Sequence, residues 1–364
     1  MSTNRLYNSW YAEMCELRPG EHLGRLKIFT WFLVGLFLSR SVYLGAIAKK
    51  IPGRATRTST ERRLRRLVDN AAIRVRVWYR PVAERLLSAI VAHKLPIRLL
   101  VDGSKVGSSH QLLMVAVAYR RRAIPIAWTW VPSARGHSDG WKQVALLAYV
   151  RALLPTGAEV YIAGDSEFGP VPVLQQLDAW KWRYVLRQSG SHLAQLPEQE
   201  AWQRLDDLIQ RPRQRVWVAH MRLTQKHGYR TNFVAYWQPG EKEPWLLATN
   251  LPDARTALRT YRRRMWIEEM FGDFKGHGFD LESTQLQTFL RLSRLTLAVV
   301  LLYVWLVAYG SHVIKNGRRY LVDRKDRRDL SVFRIGLDSI DRHLTNAESF
   351  KIIWLPYFEK LSGG

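Results

Sequence analysis

The stretch IRLLVDGSKVGSSHQLLMVAVAYRRRAIPIAWTWV (97–131) decides how the middle of this chain is read. IRLLVDG (97–103) is a short apolar run that ends at an Asp-Gly pair. LLMVAVAYR (112–120) and AIPIAWTWV (123–131) are strand-like, and the short charged turn between them predicts a hairpin. Working outward, GWKQVALLAYVRALLP (140–155) has helical apolar spacing and stops at Pro155. AEVYIAGD (158–165) is a further strand that ends in an Asp, and WRYVLRQ (182–188) is a fifth. The order β-β-β-α-β-α/loop-β predicts a mixed α/β sheet.

Residues 189–255 have a different texture. RVWVAHMRLTQ, YRTNFVAYWQ and PWLLATNL read as strands, preceded by a polar helical stretch around Glu198–Gln210, so this segment is expected to be a β-rich insertion. After it come a long amphipathic helix (about 256–275), an apolar helix (about 288–310) and a basic tail. The expected division is a helical basic region over 1–92, a first core part over 93–188, the insertion over 189–255, a second core part over 256–314, and a basic C-terminal tail over 315–364.

With 364 residues the chain is long enough for two or three domains and a large core. Hydrophobic residues make up 47% and charged residues 24%, which excludes wholesale disorder. The imbalance is in sign: 56 Lys and Arg against 31 Asp and Glu give a net charge of +25, which points to a polyanion such as nucleic acid. Cys15 is alone, so neither an intrachain disulfide nor a Cys-based zinc site is available, which fits a reducing cytoplasm. The apolar runs 28–38 and 295–309 are both short of the roughly 18–20 residues a spanning helix needs, and the start MSTNRLYNSW has no signal-peptide pattern. No membrane association is therefore expected.

The basic excess is dense near the N-terminus, with twelve Lys and Arg against Glu61, Asp69 and Glu84 between Lys49 and Arg85. There the pattern is a helix, a break at Pro52–Gly53, and a second helix capped by Thr58, Ser59 or Thr60. Leu64, Leu67 and Val68 form its apolar stripe, while Arg62, Arg63, Arg65 and Arg66 cover the rest. Such a face suits either DNA contact, in the manner of a helix-turn-helix, or plain solvation.

Chemistry is expected at acidic residues. If the strands ending in Asp102 and Asp165 are parallel neighbours, their carboxylates share one crevice, and two such charges call for a hard divalent cation. Each Asp could equally end a strand at a simple turn. On a continuous helix at 100° per residue, Tyr261, Arg264, Glu268 and Lys275 fall in one sector about 60° wide, with Trp266, Ile267, Met270 and Phe274 away from it and Phe271 at its edge, all five expected in the core. A carboxylate flanked by a phenol, a guanidinium and an ammonium suits a metal beside phosphate oxygens.

The spacing Tyr261-x2-Arg264-x3-Glu268-x6-Lys275 resembles the Y-R-E-K signature of insertion-sequence-four type DDE transposases, and VDGSKV around Asp102 and GDSEF around Asp165 resemble that family's two Asp motifs. The resemblance covers roughly residues 95–310. It implies a ribonuclease-H-like mixed sheet core interrupted by a β-rich insertion, with a helical N-terminal DNA-binding region. It implies that Asp102, Asp165 and Glu268 bind two Mg²⁺ or Mn²⁺ ions. It further implies that Tyr261, Arg264 and Lys275 hold phosphates and that Trp245 stacks on a flipped base, although the residue alone could equally be a core Trp. The second Asp motif departs from the family: Glu167 stands where a positive residue is frequent, which puts phosphate contact there in doubt.

The expected function is metal-dependent cleavage at transposon ends and strand transfer into target DNA, by a hairpin intermediate. The partners are end DNA, target DNA and a second copy of the chain in the DNA complex, in the cytoplasm. A structure-selective nuclease of the same fold, or a non-cutting DNA-binding remnant, would share these residues.

Overall fold

A computed structural model describes residues 2–107, 109–132 and 140–359. The chain divides into two compact units, one of residues 1–95 and 270–364, the other of residues 96–269.

The first unit is helical. It opens with α1 (Ser2–Leu17), α2 (Leu23–Ser39), α3 (Leu44–Lys49), α4 (Arg57–Asp69) and α5 (Val75–Ala92). The apolar run 28–38 lies in α2, where Phe29, Phe32, Leu33, Leu36 and Phe37 are buried. Helix α4 follows the Pro52–Gly53 break as expected, but it is capped by Thr56, whose hydroxyl accepts from the Ser59 amide at 3.2 Å. Leu64, Leu67 and Val68 are buried, and Arg62, Arg63, Arg65 and Arg66 are exposed, so the basic face is where the periodicity placed it. The buried Arg294 guanidinium donates to the carbonyls of Val68 and Ile73 at 2.8 and 3.1 Å. A cation at a helix C-terminus is favourable, and here it pins the end of α4.

The sheet unit follows in the chain. Its strands are β1 (Ile97–Val106), β2 (His110–Tyr119), β3 (Arg122–Pro132), β4 (Val160–Gly164), β5 (Arg183–Arg187), β6 (Leu193–Gln195), β7 (Trp202–Arg204), β8 (Arg215–Leu223), β9 (Tyr229–Tyr236) and β10 (Trp245–Thr249). Between them lie α6 (Gly140–Arg151) and α7 (Val171–Ala179), and after them α8 (Ala254–Tyr261). Arg120 and Arg121 both take positive φ, 45° and 63°, at the β2–β3 hairpin turn, the backbone that a two-residue connection needs to match strand twist.

All ten strands form one sheet in the order β3-β2-β1-β4-β5-β10-β9-β8-β6-β7. The β1–β4 and β4–β5 pairs are parallel and the others antiparallel. Residues 189–255 therefore extend the core sheet through β10, which pairs with β5 and β9. The polar helix expected around Glu198–Gln210 is absent. Trp202–Arg204 pairs instead with Leu193–Gln195, and only a 3₁₀ turn at Asp206–Leu208 follows. With few apolar residues at helical spacing, a strand partner supplies what a helix face could not.

The helix expected over about 256–275 is broken. Helix α8 ends at Tyr261, a 3₁₀ turn covers Arg262–Arg264, and α9 (Met265–Phe274) resumes. The unit boundary falls within α9. Beyond it lie α10 (Phe289–Lys315) and α11 (Val332–Thr345), so the segment read as a basic tail contains an amphipathic helix. Helices α10 and α11 meet at Gly310 and Gly336, where a side chain would collide with the facing backbone. Helix α10 is long and apolar enough to cross a membrane, but 83% of its most apolar window is buried within the protein.

Candidate active site

Register places the two aspartates side by side. In the parallel β1–β4 pair, Val101 is opposite Gly164, so Asp102 and Asp165 are the next residues on adjacent strands. Here the chain goes to β2 and β3 on one side and to β5 on the other, which is where open α/β sheets leave a crevice. Each Asp spends one carboxylate oxygen on the amide that follows it: Gly103 N–H to Asp102 Oδ1 at 2.8 Å, and Ser166 N–H to Asp165 Oδ1 at 2.7 Å. The second bond caps the 3₁₀ turn Ser166–Phe168. Both Oδ2 atoms are thereby aimed at one point.

That point is the Arg264 guanidinium. Its Nη2 is 3.3 Å from Asp102 Oδ2 and 3.3 Å from Asp165 Oδ2, and its Nη1 donates to Glu268 Oε1 at 2.6 Å. Arg264 is 8% exposed and Asp102 7%, whereas the Asp165 and Glu268 carboxylates open more to solvent. The three acids predicted from sequence are thus brought together, and Arg264, expected to face phosphates, is their common counter-ion. Burial pushes the Asp102 carboxyl up to about 7, opposed by the Arg264 charge and assisted by Asp165. Burial works against the Arg264 charge, but Asp102 and the other acidic groups outweigh it and hold the guanidinium above its ordinary range.

The 3₁₀ turn explains the geometry better than a continuous helix. At three residues per turn, positions i and i+3 eclipse, so Tyr261 and Arg264 are aligned, and Glu268 follows one α-turn later. Tyr261 is 3% exposed, and burial raises its phenol above the usual range. It packs with Val185, Val234, Leu247, Leu251, Ala257 and Leu258. The half-buried Trp245 ring meets Tyr261 edge-on at 5.1 Å and Tyr236 at 6.0 Å. Trp245, Tyr261, Arg264 and Glu268 line a cavity of about 820 Å³ together with Arg187 and Tyr236. Lys275 belongs to the helical unit, where its ammonium pairs with Glu282 at 2.8 Å. Trp266, assigned to the core by helix phase, is only half-buried, with the Arg263 guanidinium 6.0 Å from its ring centre.

The donor set fits a hard divalent cation: three carboxylates, with both aspartates offering an oxygen not taken by backbone. In this arrangement the Arg264 guanidinium occupies the space between the three acids, and among the described residues no three His, Cys, Asp or Glu side chains are gathered closely enough around one point to hold an ion.

Residues 92–305 match the family described as the Transposase DDE domain, over more than half of the chain. The chain belongs to this transposase family. The family's reaction is DNA cleavage and joining, with divalent metal ions in general use. Among solved structures, this transposase is similar to a piggyBac transposase in a synaptic complex with hairpin DNA, studied by cryo-electron microscopy. The TM-score is 0.44 and the identity 11%, covering 95% of this chain and 77% of that one. No curated protein matches it.

Sequence reasoning missed how the candidate site is held from behind. Gln111 Nε2 donates to Glu167 Oε2 at 2.8 Å, and Gln143 Nε2 donates to the Glu167 carbonyl at 2.6 Å, all three being buried. Glu167 is therefore held by two buried glutamines, one on its carboxylate and one on its carbonyl. Gly103 passes against this pair, and any Cβ there would meet Gln111 Nε2 and Glu167 Oε2. A glutamine inside the apolar run HQLLMVAVAY was the available signal, because a buried polar side chain needs a partner.

Proposed function

We propose that this transposase is of the insertion-sequence-four type, nicks DNA at transposon ends, and joins the freed 3′-hydroxyl to target DNA, with a hairpin on the transposon end between the two steps. The observation that supports this most is the convergence of Asp102 from within β1, Asp165 from the end of β4 and Glu268 from α9 on one guanidinium inside the family-matched segment.

Asp102, Asp165 and Glu268 would hold two Mg²⁺ or Mn²⁺ ions. When bound, such ions supply a more acidic water and charge neutralisation at the leaving oxygen. The chain's own part is positional. The backbone bonds of Gly103 and Ser166 fix one oxygen of each Asp, so the other points into the crevice without reorganisation. Arg264 has a planar donor fork suited to a phosphate oxygen once its carboxylates are otherwise satisfied. Tyr261 backs it, and Lys275 is assigned a second phosphate contact by the signature. Trp245 offers a ring to an extruded base in the adjoining cavity. The exposed Arg62, Arg63, Arg65 and Arg66 of α4 are the proposed end-recognition face, and two copies of the chain pair in the DNA complex.

Purified full-length protein is incubated with an end-containing duplex, Mg²⁺ and a target plasmid. A joined product is expected. Cleavage without joining would instead favour a structure-selective nuclease, and a retarded band without cleavage a DNA-binding remnant.

A further inference from the structure

The helical unit holds a cavity of about 680 Å³, inside the roughly 300–1,000 Å³ range of small-ligand pockets. Its walls are the second half of α10, the 3₁₀ turn Arg319–Leu321, the end of α11 and the irregular segment that follows α11. None of these elements carries a residue of the acidic site, so the cavity calls for a ligand of its own.

Charge in the lining is unbalanced. Arg318, Arg342 and Lys351 face the cavity, and among the described residues no acidic side chain is within ion-pair distance of any of them. The acid in the lining, Glu348, is already engaged: it meets His343 Nδ1 at 2.6 Å and accepts from Asn346 Nδ2 at 3.2 Å. Those bonds, that of Asn346 foremost, hold its carboxyl below the usual range, so it is ionised at neutral pH. With the histidines counted as neutral, the lining keeps an excess of two positive charges.

The hydrogen bonds have a direction. An ionised Glu348 requires a hydrogen on His343 Nδ1, which leaves Nε2 as the acceptor of the neutral ring. The Tyr309 hydroxyl, 2.9 Å from Nε2, therefore donates to it. Burial, opposed by the Arg318 charge, raises the Tyr309 phenol above its ordinary range, so this hydroxyl keeps its hydrogen. A ligand oxygen in the cavity competes for that hydrogen. When Tyr309 turns it to the ligand, His343 must take a proton from solvent to donate back through Nε2. The other titratable group in the lining is His312, which meets the Leu355 carbonyl at 3.1 Å, and Arg5 of α1 donates to the Glu348 carbonyl at 3.0 Å.

Two excess charges match a dianion. A phosphate monoester carries roughly 1.5 to 2 negative charges at neutral pH, whereas each diester of a nucleic-acid backbone carries one. Tyr320, 59% exposed, and Phe350 add ring surface to the same lining, which suits a ligand that is itself a ring. We propose that this cavity binds a small ring-bearing phosphate monoester, of the chemical class of a nucleoside monophosphate, with Arg318, Arg342 and Lys351 on the phosphate and proton uptake at His343.

The test is isothermal titration calorimetry of the full-length protein at about pH 7.5, with AMP and phenyl phosphate as probes. Both should bind saturably at millimolar concentration or below, at least about tenfold tighter than adenosine or inorganic phosphate. Titrations in buffers of different ionisation heat should show net proton uptake. Arg318→Gln/Arg342→Gln should weaken AMP by about ten- to a hundredfold for each charged hydrogen bond lost. The control Lys50→Gln/Arg54→Gln, exposed and outside the lining, should leave it within about twofold. His343→Gln and Tyr309→Phe should each bind without proton uptake, and melting checks that every variant folds. No binding of either probe, an equal loss in the control, or uptake surviving in both His343→Gln and Tyr309→Phe would overturn the proposal. So would displacement of AMP by an unphosphorylated DNA duplex at equal nucleotide concentration, which would assign the cavity to the diester backbone.

Discussion

Replacing Arg264 by Met removes the cation that touches all three acidic side chains while keeping an extended, unbranched side chain in the space. The magnitude follows from who is left behind. Asp102 is 7% exposed and retains only the Gly103 amide, so at alkaline pH, where it is ionised, it becomes a buried charge without a counter-charge. Breaking a buried pair in this way costs about 3–5 kcal/mol. The exposed shares of Asp165 and Glu268 add little, because solvent screens them. For a unit of this size, each kcal/mol moves the melting temperature by about 2–4 °C, so Arg264→Met should melt roughly 6–20 °C below wild type in EDTA. Mg²⁺ or Mn²⁺ should then return several degrees to the variant, since a cation can enter the space between the carboxylates. Wild type without DNA should respond less, because Arg264 already stands there. Differential scanning calorimetry with and without millimolar metal reads both effects. If the variant melts within about a degree of wild type and neither protein responds to metal, the carboxylates do not depend on Arg264 and the reasoning fails.

Asp102→Asn, Asp165→Asn and Glu268→Gln should each abolish cleavage while leaving duplex affinity within about threefold, because each removes an anionic oxygen and no DNA-directed cation; residual cutting would remove that residue from the site. Trp245→Ala should cost about 1–3 kcal/mol through its lost ring contacts and partial burial. It should also slow hairpin formation by about one to two decades more than first-strand nicking. Equal losses in both products would assign Trp245 to packing alone. Gly103→Ala should cost about 1–3 kcal/mol by overpacking and lower cleavage at least tenfold. Gln111→Ala in the same chain should recover part of both by vacating the space the Cβ meets. Failure of that rescue would detach Gly103 from the Gln111–Glu167 pair.

The legible parts of this protein are those set by short-range pattern. The start of β1, the β2–β3 hairpin, β4 with the Asp that follows it, and the apolar stripe of α4 all follow from period and punctuation within about ten residues, whereas β1 does not end at Asp102 as expected but runs on to Val106 against β2. Strands β8, β9 and β10 were equally legible, unlike β6 and β7, but their place in the core sheet was not, because backbone hydrogen bonds from β10 to β5 carry no side-chain signature. Glu167 illustrates the opposite failure. Its type suggested a charge facing DNA, and only the fold reveals two glutamines waiting for it inside.

By itself, the sequence determined the chemical inventory: a net charge of +25, three acids at strand ends and in a helix, and a run of three arginines beside the third acid. Tertiary structure alone decided which cation answers which acid. Helix phase placed Arg264 beside Glu268 on a face free to meet phosphate, whereas the 3₁₀ turn and the β1–β4 register bring Asp102, Asp165 and Glu268 around it. The reason is physical: helix period is local, but a guanidinium's partner is set by the lowest-energy neighbour in three dimensions. For a buried guanidinium, that neighbour is the set of carboxylates that would otherwise repel one another.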